Sequence, residues 1–209
     1  MHPRFVGAYA EKDAELTLRL WNQFRIELEQ QSLMTVFDLE TDLIPVLLDM
    51  REKGVKVDVD KAEQTKKDLK DLKQAVLRDI EHDTGITVEP WVATSVAKVF
   101  KHYNLYYETT ETSNQPSFTK SFLQACPHEV SNKILRLREL DKASNTFVDS
   151  ILKFAHKGRI HCEFHQLRSD DGGTVTGRFS SSNPNLQQIP ARDAEIKAMI
   201  RGLFLPDEG

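Results

Sequence analysis

Apolar residues recur at intervals of three and four along most of the first 156 residues, and this spacing predicts amphipathic helices. The predicted helices cover residues 9–30, 36–53, 61–83, 95–103 and 130–154. The buried side of the last helix is expected to carry Ile134, Leu137, Leu140, Ser144, Phe147 and Ile151. Between the second and third helices, residues 55–59 alternate as a short strand does. Asp58 or Asp60 is placed to cap the helix that follows.

After Gly158 the pattern changes from helical to strand-like. Residues 159–166 alternate between apolar and polar side chains, residues 170–173 have the composition of a turn, and the chain from Thr174 is rich in Gly, Ser, Asn and Pro. Helices followed by the beginning of a strand-containing layer indicate an α+β fold that is mainly helical. We expect long antiparallel helices and then the opening strands of an antiparallel sheet that continues in a longer protein.

Composition places the chain among ordinary globular proteins, because 39% of its 209 residues are apolar and 29% are charged. No apolar run is long enough to cross a bilayer and the N-terminus lacks a signal-peptide core, so we expect a cytoplasmic protein. Cys126 and Cys162 have no metal-binding spacing and are expected to be thiols outside any disulfide. The net charge of −4 argues mildly against nucleic acid, although the balance turns basic between residues 174 and 205.

Small hydroxyl and amide side chains are concentrated between Thr176 and Pro190. Serine hydroxyls and backbone N–H groups can position phosphates, while Asn, Gln and Arg can reach base edges. The alternative is a polar loop whose Ser and Asn side chains form turns and helix caps. The residue types alone leave both interpretations open.

Four lysines lie on the predicted helix 61–83, interleaved with acids: Lys66, Lys67, Lys70 and Lys73 alternate with Asp68 and Asp71. One interpretation is a solvated helix face with pairing between residues four apart. The other, which depends on the resemblance described next, is a surface that follows the phosphates of duplex DNA.

The run Thr-Gly-Arg-Phe-Ser-Ser-Ser-Asn-Pro-Asn-Leu-Gln-Gln-Ile-Pro, residues 176–190, resembles the signature of family A (polymerase I-like) DNA polymerases, Thr-Gly-Arg-x-Ser-Ser-x-x-Pro-Asn-Leu-Gln-x-Ile-Pro. Other stretches resemble the family's preceding strand, the return helix of its thumb, its connector and its last proofreading motif: residues 158–166, 137–147, 36–58 and 9–13. The similarity spans the chain. The insertion at 170–173 is of a kind associated with phage members.

The resemblance implies a domain plan and an activity. Residues 1–31 would end a 3′–5′ exonuclease-like domain, 32–57 would be a connector, 58–156 the thumb and 157–209 the N-terminal part of the palm. The chain would be a fragment of a DNA-directed DNA polymerase, a nucleotidyltransferase of DNA replication, that binds primer–template without the catalytic carboxylates. The alternative is a non-catalytic DNA-binding accessory protein or a split-polymerase subunit.

The resemblance also assigns roles within the signature. Arg178 matches the arginine that reaches the minor groove at the primer terminus. Asn185 and Gln187 match amides that contact template and primer, and Gln188 stands where many members have Asn. Arg192 matches a basic residue near the incoming deoxynucleoside triphosphate.

Phosphate contacts and metals complete the expectations. Ser180 and Ser181 are candidate phosphate contacts, and the four lysines are candidates for tracking the duplex. The intact enzyme would use Mg²⁺ bound by palm carboxylates beyond this chain, in which case a separate chain carrying the rest of the palm and the fingers is a possible partner. Tyr9 and Asp13 would be remnants of an exonuclease motif too incomplete to bind metal, so we expect no polymerase or nuclease activity from the chain alone.

Overall fold

The first of two structural units, residues 1–52, is a pair of helices. The computed structural model describes residues 3–168, 173–191 and 193–207. Helix α1 spans Pro3–Gln30 and α2 spans Met34–Lys53. The two helices predicted at 9–30 and 36–53 are therefore present, and α1 begins earlier than predicted because a proline fits the first turn of a helix.

Most of the predicted apolar stripe of α1 is exposed. Leu16, Leu20 and Phe24 retain 44%, 51% and 49% of their accessible surface, and no described side chain of α2 is buried. The rings of Trp21 and Phe37 pack 5.1 Å apart between the two helices. The periodicity thus predicted the helices correctly, but within this chain it does not produce a buried core for them.

The second unit, residues 53–209, is organised around a long helix, α3, at Val59–Thr84. Asp58 caps it by accepting a hydrogen bond from the Lys61 amide at 2.9 Å, which decides between the two predicted capping residues. The helix ends at Gly85, whose φ of 68° is the left-handed conformation common at helix C-termini. Ala62, Leu69 and Ile80 lie on its buried face.

A small subdomain follows α3. It contains helix α4 (Ala93–His102), an antiparallel pair of strands β2 (Glu108–Thr109) and β3 (Pro116–Ser117), and helix α5 (Lys120–Ala125). The sequence predicted only α4, because the other elements are too short to display a periodicity. Phe100, Phe118 and Leu123 form the centre of this core.

The predicted helix 130–154 is one helical run with a change of winding inside it. Helix α6 (Glu129–Lys142) passes into a π-helical segment (Ala143–Val148) and then into α7 (Asp149–Phe154). The Asp149 amide donates to the Ser144 carbonyl, five residues earlier. The wider turn changes the direction in which successive side chains point. Ser144 is half-exposed, while the other five residues predicted on the buried side of this helix are buried.

Two small antiparallel sheets complete the unit. Strands β1 (Val55–Lys56), β4 (Ala155–His156) and β5 (Arg159–Ile160) form one sheet in the order β1-β5-β4. Strands β6 (Glu163–His165) and β7 (Ser180–Ser182) form the other, so the single strand predicted at 159–166 is divided between two sheets.

Helix α8 (Ala194–Arg201) packs Ile196 and Ile200 into the core that Leu69, Phe147 and Ile160 share. The predicted fold class, α+β and mainly helical, is confirmed. Cys126 and Cys162 form no disulfide. Within the described ranges, every helix is too short or too polar to span a bilayer.

Candidate nucleic-acid interface

The polar segment, defined here as residues 173–191, is anchored by strand β7. In the antiparallel pairing with β6, Ser180 lies opposite His165, Ser181 opposite Phe164, and Ser182 opposite Glu163. The segment then forms a short 3₁₀ turn at Leu186–Gln188. The second part of the strand predicted at 159–166, β6, therefore pairs with the signature.

Arg178 lies just before β7, on the exposed surface. It follows Gly177, whose φ of 68° allows the sharp turn that presents the arginine. Its backbone carbonyl accepts a hydrogen bond from Thr174 Oγ1 at 2.7 Å. Within the described ranges, its guanidinium has neither an ion pair nor a hydrogen bond, so all its donors can serve a ligand.

The serines of β7 mainly bond within the segment. Ser180 Oγ accepts from the Gly173 amide at 3.0 Å, and the Ser182 hydroxyl lies 2.8 Å from His165 Nε2. Ser181 is 4% exposed, and its hydroxyl donates to Asn185 Oδ1 at 3.4 Å. In this conformation a phosphate cannot reach the buried Ser181 hydroxyl. Its hydrogen bond within the segment agrees with the interpretation of these residues as a polar loop.

All three amide residues of the segment that are predicted contacts are exposed, and they differ in whether their side chains are hydrogen-bonded. Asn185 Oδ1 caps the 3₁₀ turn by accepting a hydrogen bond from the backbone N–H of Gln187 at 3.1 Å. Gln187 Nε2 donates to the Phe179 carbonyl at 3.0 Å. Gln188 is exposed, and its side chain has no hydrogen bond among the described residues. Two of the three predicted contact amides therefore already support the loop, and Gln188 is available.

Two clefts lie on either side of Gln188 and Ile189. One, of about 270 Å³, has Phe147 and Leu186 in its walls and the polar side chains of Thr146 and Asn185 at its edge. The other, of about 360 Å³, is lined by Lys120, Glu139, Lys142, Pro190 and Ile196, among others. Residues of the π-helical segment and of the polar segment thus line both clefts, whose walls are partly polar and partly apolar.

The lysines of α3 fall into two pairs. Lys66 Nζ lies 2.6 Å from Asp149 Oδ1, and Lys73 Nζ lies 2.6 Å from Asp141 Oδ1. Lys67 and Lys70 are exposed and have no ion pair within the described residues. The predicted pairing with acids of the same helix is wrong, because Lys66 and Lys73 pair with α7 and α6.

Asp141 carries more than the ion pair with Lys73. It is 8% exposed and also accepts from Trp91 Nε1 at 3.0 Å. Lys73 therefore helps to hold the core together, and its ammonium is less available to a phosphate than that of Lys67 or Lys70.

Several arginines near the segment are also engaged. Arg136 forms ion pairs with Asp193, at 3.2 Å, and with Glu195 at the start of α8. Arg201 Nε donates to the Pro190 carbonyl at 3.2 Å. Arg138 donates to the Phe118 carbonyl, and burial lowers the pKa of its guanidinium. These arginines hold structure in place, which sets Arg178 apart from them.

Comparison with known proteins supplies the family. Residues 59–209 match the sequence profile described as DNA polymerase family A. The chain belongs to this family. It is 33% identical to a DNA-directed DNA polymerase of Pseudomonas phage M6 over 216 residues, which cover 99% of this chain and 32% of that protein.

Other relatives of this family A chain come from phages and bacteria. It is 33% identical to the DNA polymerase DpoZ of Salmonella phage PMBT28, covering 96% of this chain and 35% of that protein. It is 34% identical to DNA polymerase I of Treponema pallidum (strain Nichols), covering 90% of this chain and 19% of the relative. The chain therefore spans about a third of the length of the phage relatives.

A solved structure agrees in fold. The POL domain of Pol1 from M. smegmatis, in complex with DNA primer-template and dNTP, matches 78% of this chain and 28% of its own, with a TM-score of 0.64 and 27% identity. The recognition of a family A polymerase of phage type from the 176–190 signature is confirmed.

Tyr9 and Asp13, the expected remnant of an exonuclease motif, lie far from this interface in the sequence. Tyr9 is 69% exposed on α1, and the Asp13 carbonyl accepts from Thr17 Oγ1 at 2.8 Å. Across the described residues, no three His, Cys, Asp or Glu side chains are placed together as a metal site. The donor set of the described residues does not fit the divalent metals of a family A polymerase.

Two further cationic residues are candidates for ligand contacts. Arg192, the predicted triphosphate contact, lies outside the described residues. Lys142, which the sequence reasoning did not single out, is exposed and lines the same cleft as Gln188. Lys142 lies within residues 137–147, the stretch that resembles the return helix of the thumb, and no other feature of the sequence indicates it. The sequence alone does not show that Lys142 and Gln188 line the same cleft.

Proposed function

We propose that this chain is the primer–template-holding part of a DNA-directed DNA polymerase that acts in DNA replication. The observation that carries the proposal is Arg178. Its side chain is exposed and unpartnered among the described residues, while neighbouring arginines are engaged, and it stands within the family signature.

The chemistry of Arg178 suits a test of base pairing. Acceptors in the minor groove occur at equivalent places in every correct base pair, so one guanidinium can detect pairing geometry without reading sequence. Gln188, in the same segment, adds an exposed amide without a hydrogen bond among the described residues. Lys67, Lys70 and Lys142 supply cations that can neutralise phosphates, since none of the three has an ion pair within the described residues.

The domain plan of the sequence analysis remains part of this proposal. Residues 58–156 act as a thumb that follows the duplex, and residues 157–209 begin the palm. Residues 1–31 belong to an exonuclease-like domain, with 32–57 as a connector. In support, residues 53–209 form a structural unit by themselves, and the family profile begins at residue 59.

Bond formation belongs to the whole polymerase. Family A DNA polymerases are metal-dependent, and we propose Mg²⁺ as the metal, held by palm carboxylates outside this chain. Arg192 is proposed to approach the deoxynucleoside triphosphate. We expect the chain alone to show no primer extension and no metal-dependent degradation of DNA. The phage relatives support the cytoplasm of a bacterial host as its place of action.

The test is binding of a fluorescent primer–template, measured by anisotropy at low salt. We expect weak binding, and we expect Arg178→Ala to weaken it about 5- to 150-fold, the range for losing one arginine contact to a base edge. Arg25→Ala is the matched control, because Arg25 is exposed on α1 in the first unit. Absence of binding at low salt, or equal affinities for the wild type and Arg178→Ala, would contradict the proposal.

A second candidate is a split-polymerase subunit or a DNA-binding accessory protein, in which exposed cations such as Lys67 and Lys70 would bind DNA without catalysis by this chain. Mixing the chain with a separate one that carries the rest of the palm and the fingers decides between these. Primer extension by the mixture supports a split enzyme. DNA binding without any extension supports the accessory protein.

A further inference from the structure

Two successive backbone carbonyls at the arginine accept hydrogen bonds from side chains. Thr174 Oγ1 donates to the Arg178 carbonyl at 2.7 Å, and Gln187 Nε2 donates to the Phe179 carbonyl at 3.0 Å. One donor precedes Arg178 in the chain, and the other comes from the 3₁₀ turn that follows β7. We call Thr174 and Gln187 the carbonyl brace.

The brace acts where regular structure is sparse. Arg178 lies outside β7 and follows Gly177, whose φ of 68° marks a turn rather than a strand. An arginine has a long side chain with many rotamers, so the precision with which it reaches a base edge depends on how firmly its backbone is held. The two bonds restrict the peptide groups on both sides of Phe179.

The glutamine of the brace is itself held. Asn185 Oδ1 accepts hydrogen bonds from the backbone N–H of Gln187 at 3.1 Å and from the Ser181 hydroxyl at 3.4 Å. A chain of hydrogen bonds therefore runs from the buried Ser181 through Asn185 and Gln187 to the Phe179 carbonyl. The Ser181 hydroxyl and the side chains of Asn185 and Gln187 therefore all belong to the network that ends at the Phe179 carbonyl.

We infer that Thr174 and Gln187 are positioning residues for Arg178, and that Gln187 acts through this backbone contact rather than by touching DNA. The inference rests on the proposed function for its consequence in DNA binding. The bracing itself is a property of the chain without DNA. The two can therefore be tested separately.

The first experiment measures backbone order by ¹⁵N relaxation of the DNA-free chain. Thr174→Val and Gln187→Met remove the donors with little change of shape. We expect the order parameters of the Phe179 and Ser180 backbone amides, which share peptide groups with the two braced carbonyls, to fall from about 0.85 toward 0.6, the range of flexible backbone. Thr174→Ser, which keeps the hydroxyl, should retain the wild-type values.

Matched controls make the same chemical changes elsewhere. Thr112→Val and Gln124→Met alter exposed residues of the β2–β3 turn and of α5, and they should leave the order parameters of the Phe179 and Ser180 amides unchanged. Unchanged order parameters in both brace variants overturn the inference. Lower thermal stability without local loss of order at these two amides also overturns it.

The second experiment measures affinity for a matched primer–template in the wild type and in Arg178→Ala. We expect Thr174→Val and Gln187→Met each to weaken binding about three- to tenfold in the wild type and to have no further effect in Arg178→Ala, because interacting residues are non-additive. An equal loss by Gln187→Met in both backgrounds identifies a direct DNA contact and overturns the inference.

Failure of the proposed function gives a different result. In that case Arg178→Ala binds DNA as the wild type does, or no DNA is bound at all. The order parameters still decide whether the brace exists.

Discussion

At the scale of single residues, the hydrogen bonds show how far a signature can be interpreted from sequence. The run 176–190 correctly identified the family, and residue type correctly indicated that its Ser and Asn side chains could either contact DNA or build a loop. The structure uses the side chains of Ser181, Asn185 and Gln187 for hydrogen bonds within the loop. The side chains of Arg178 and Gln188 have no hydrogen bond among the described residues. That division depends on which acceptors lie within hydrogen-bond distance in the folded loop, and the linear sequence does not contain this information.

Ion pairs at this scale lead to a prediction about pH. The Lys133 ammonium, 3.0 Å from Asp83 Oδ2, is the main reason that the pKa of Asp83 lies below its ordinary 3.8, and Asp83 raises the pKa of Lys133. Because the Asp83 pKa is lowered by folding, its stabilisation is present above pH 3.8 and is lost as the pH falls through the lowered pKa.

Asp83→Asn should therefore reduce the acid sensitivity of the fold. We expect the thermal midpoint to fall less between pH 5 and pH 3 in this variant than in the wild type. Asp68→Asn is the control, because Asp68 is exposed on the same helix and accepts a hydrogen bond from Gln64 rather than from a lysine. Parallel acid limbs for the wild type and Asp83→Asn would refute the role of the pair.

At the scale of elements, periodicity predicted the long helices and missed the short elements. Helices α2, α3 and α4 lie within two residues of their predicted positions, because amphipathic spacing and capping by Asp58 act locally. The β2–β3 pair and α5 are too short to show a period. The π-helical turn and the break of strand 159–166 arise from packing against distant segments, and local pattern carries no information about that.

The junction between α2 and β1 gives a prediction at this scale. Gly54 has a φ of 65°, and a Cβ atom there would lie 2.8 Å from His161 Nδ1 and 2.9 Å from the Ile160 carbonyl oxygen. Gly54→Ala therefore combines left-handed strain with a steric clash against backbone, and we expect a loss of about 2–4 kcal/mol in the free energy of unfolding.

Gly85→Ala separates the two causes. Gly85 has a φ of 68°, but nothing lies within 4 Å of an added Cβ, so only the strain remains. We expect about 1 kcal/mol for this control. Urea unfolding followed by circular dichroism measures both, and equal losses would mean that the contact with His161 and Ile160 is harmless.

At the scale of the whole molecule, the placement of charge matters more than its sum. The chain carries a net charge of −4, yet Lys67 and Lys70 are exposed on α3 without an ion pair in the described ranges, while Lys66 and Lys73 are neutralised across helices. The net charge therefore does not show which cations are available to a ligand, and the sequence could not distinguish the available lysines from the paired ones.

This division predicts a difference in salt dependence. The double variant Lys67→Met/Lys70→Met should flatten the slope of log affinity against log salt by about 2, because two phosphate contacts are lost. Lys66→Met/Lys73→Met removes the same charge from the same helix and should leave the slope nearly unchanged. Equal slopes for both double variants would show that the ion pairs do not determine which lysines meet DNA.

The contact between Trp91 and Asp141 has a practical consequence. The chain contains two tryptophans, Trp21 in the first unit and Trp91, whose indole donates to the carboxylate that also holds Lys73. Replacing Trp21 with phenylalanine leaves Trp91 as the one tryptophan, so fluorescence excited selectively at tryptophan comes from that junction. Its emission would report, without any added label, whether the small subdomain after α3 stays docked when the solution or a ligand changes.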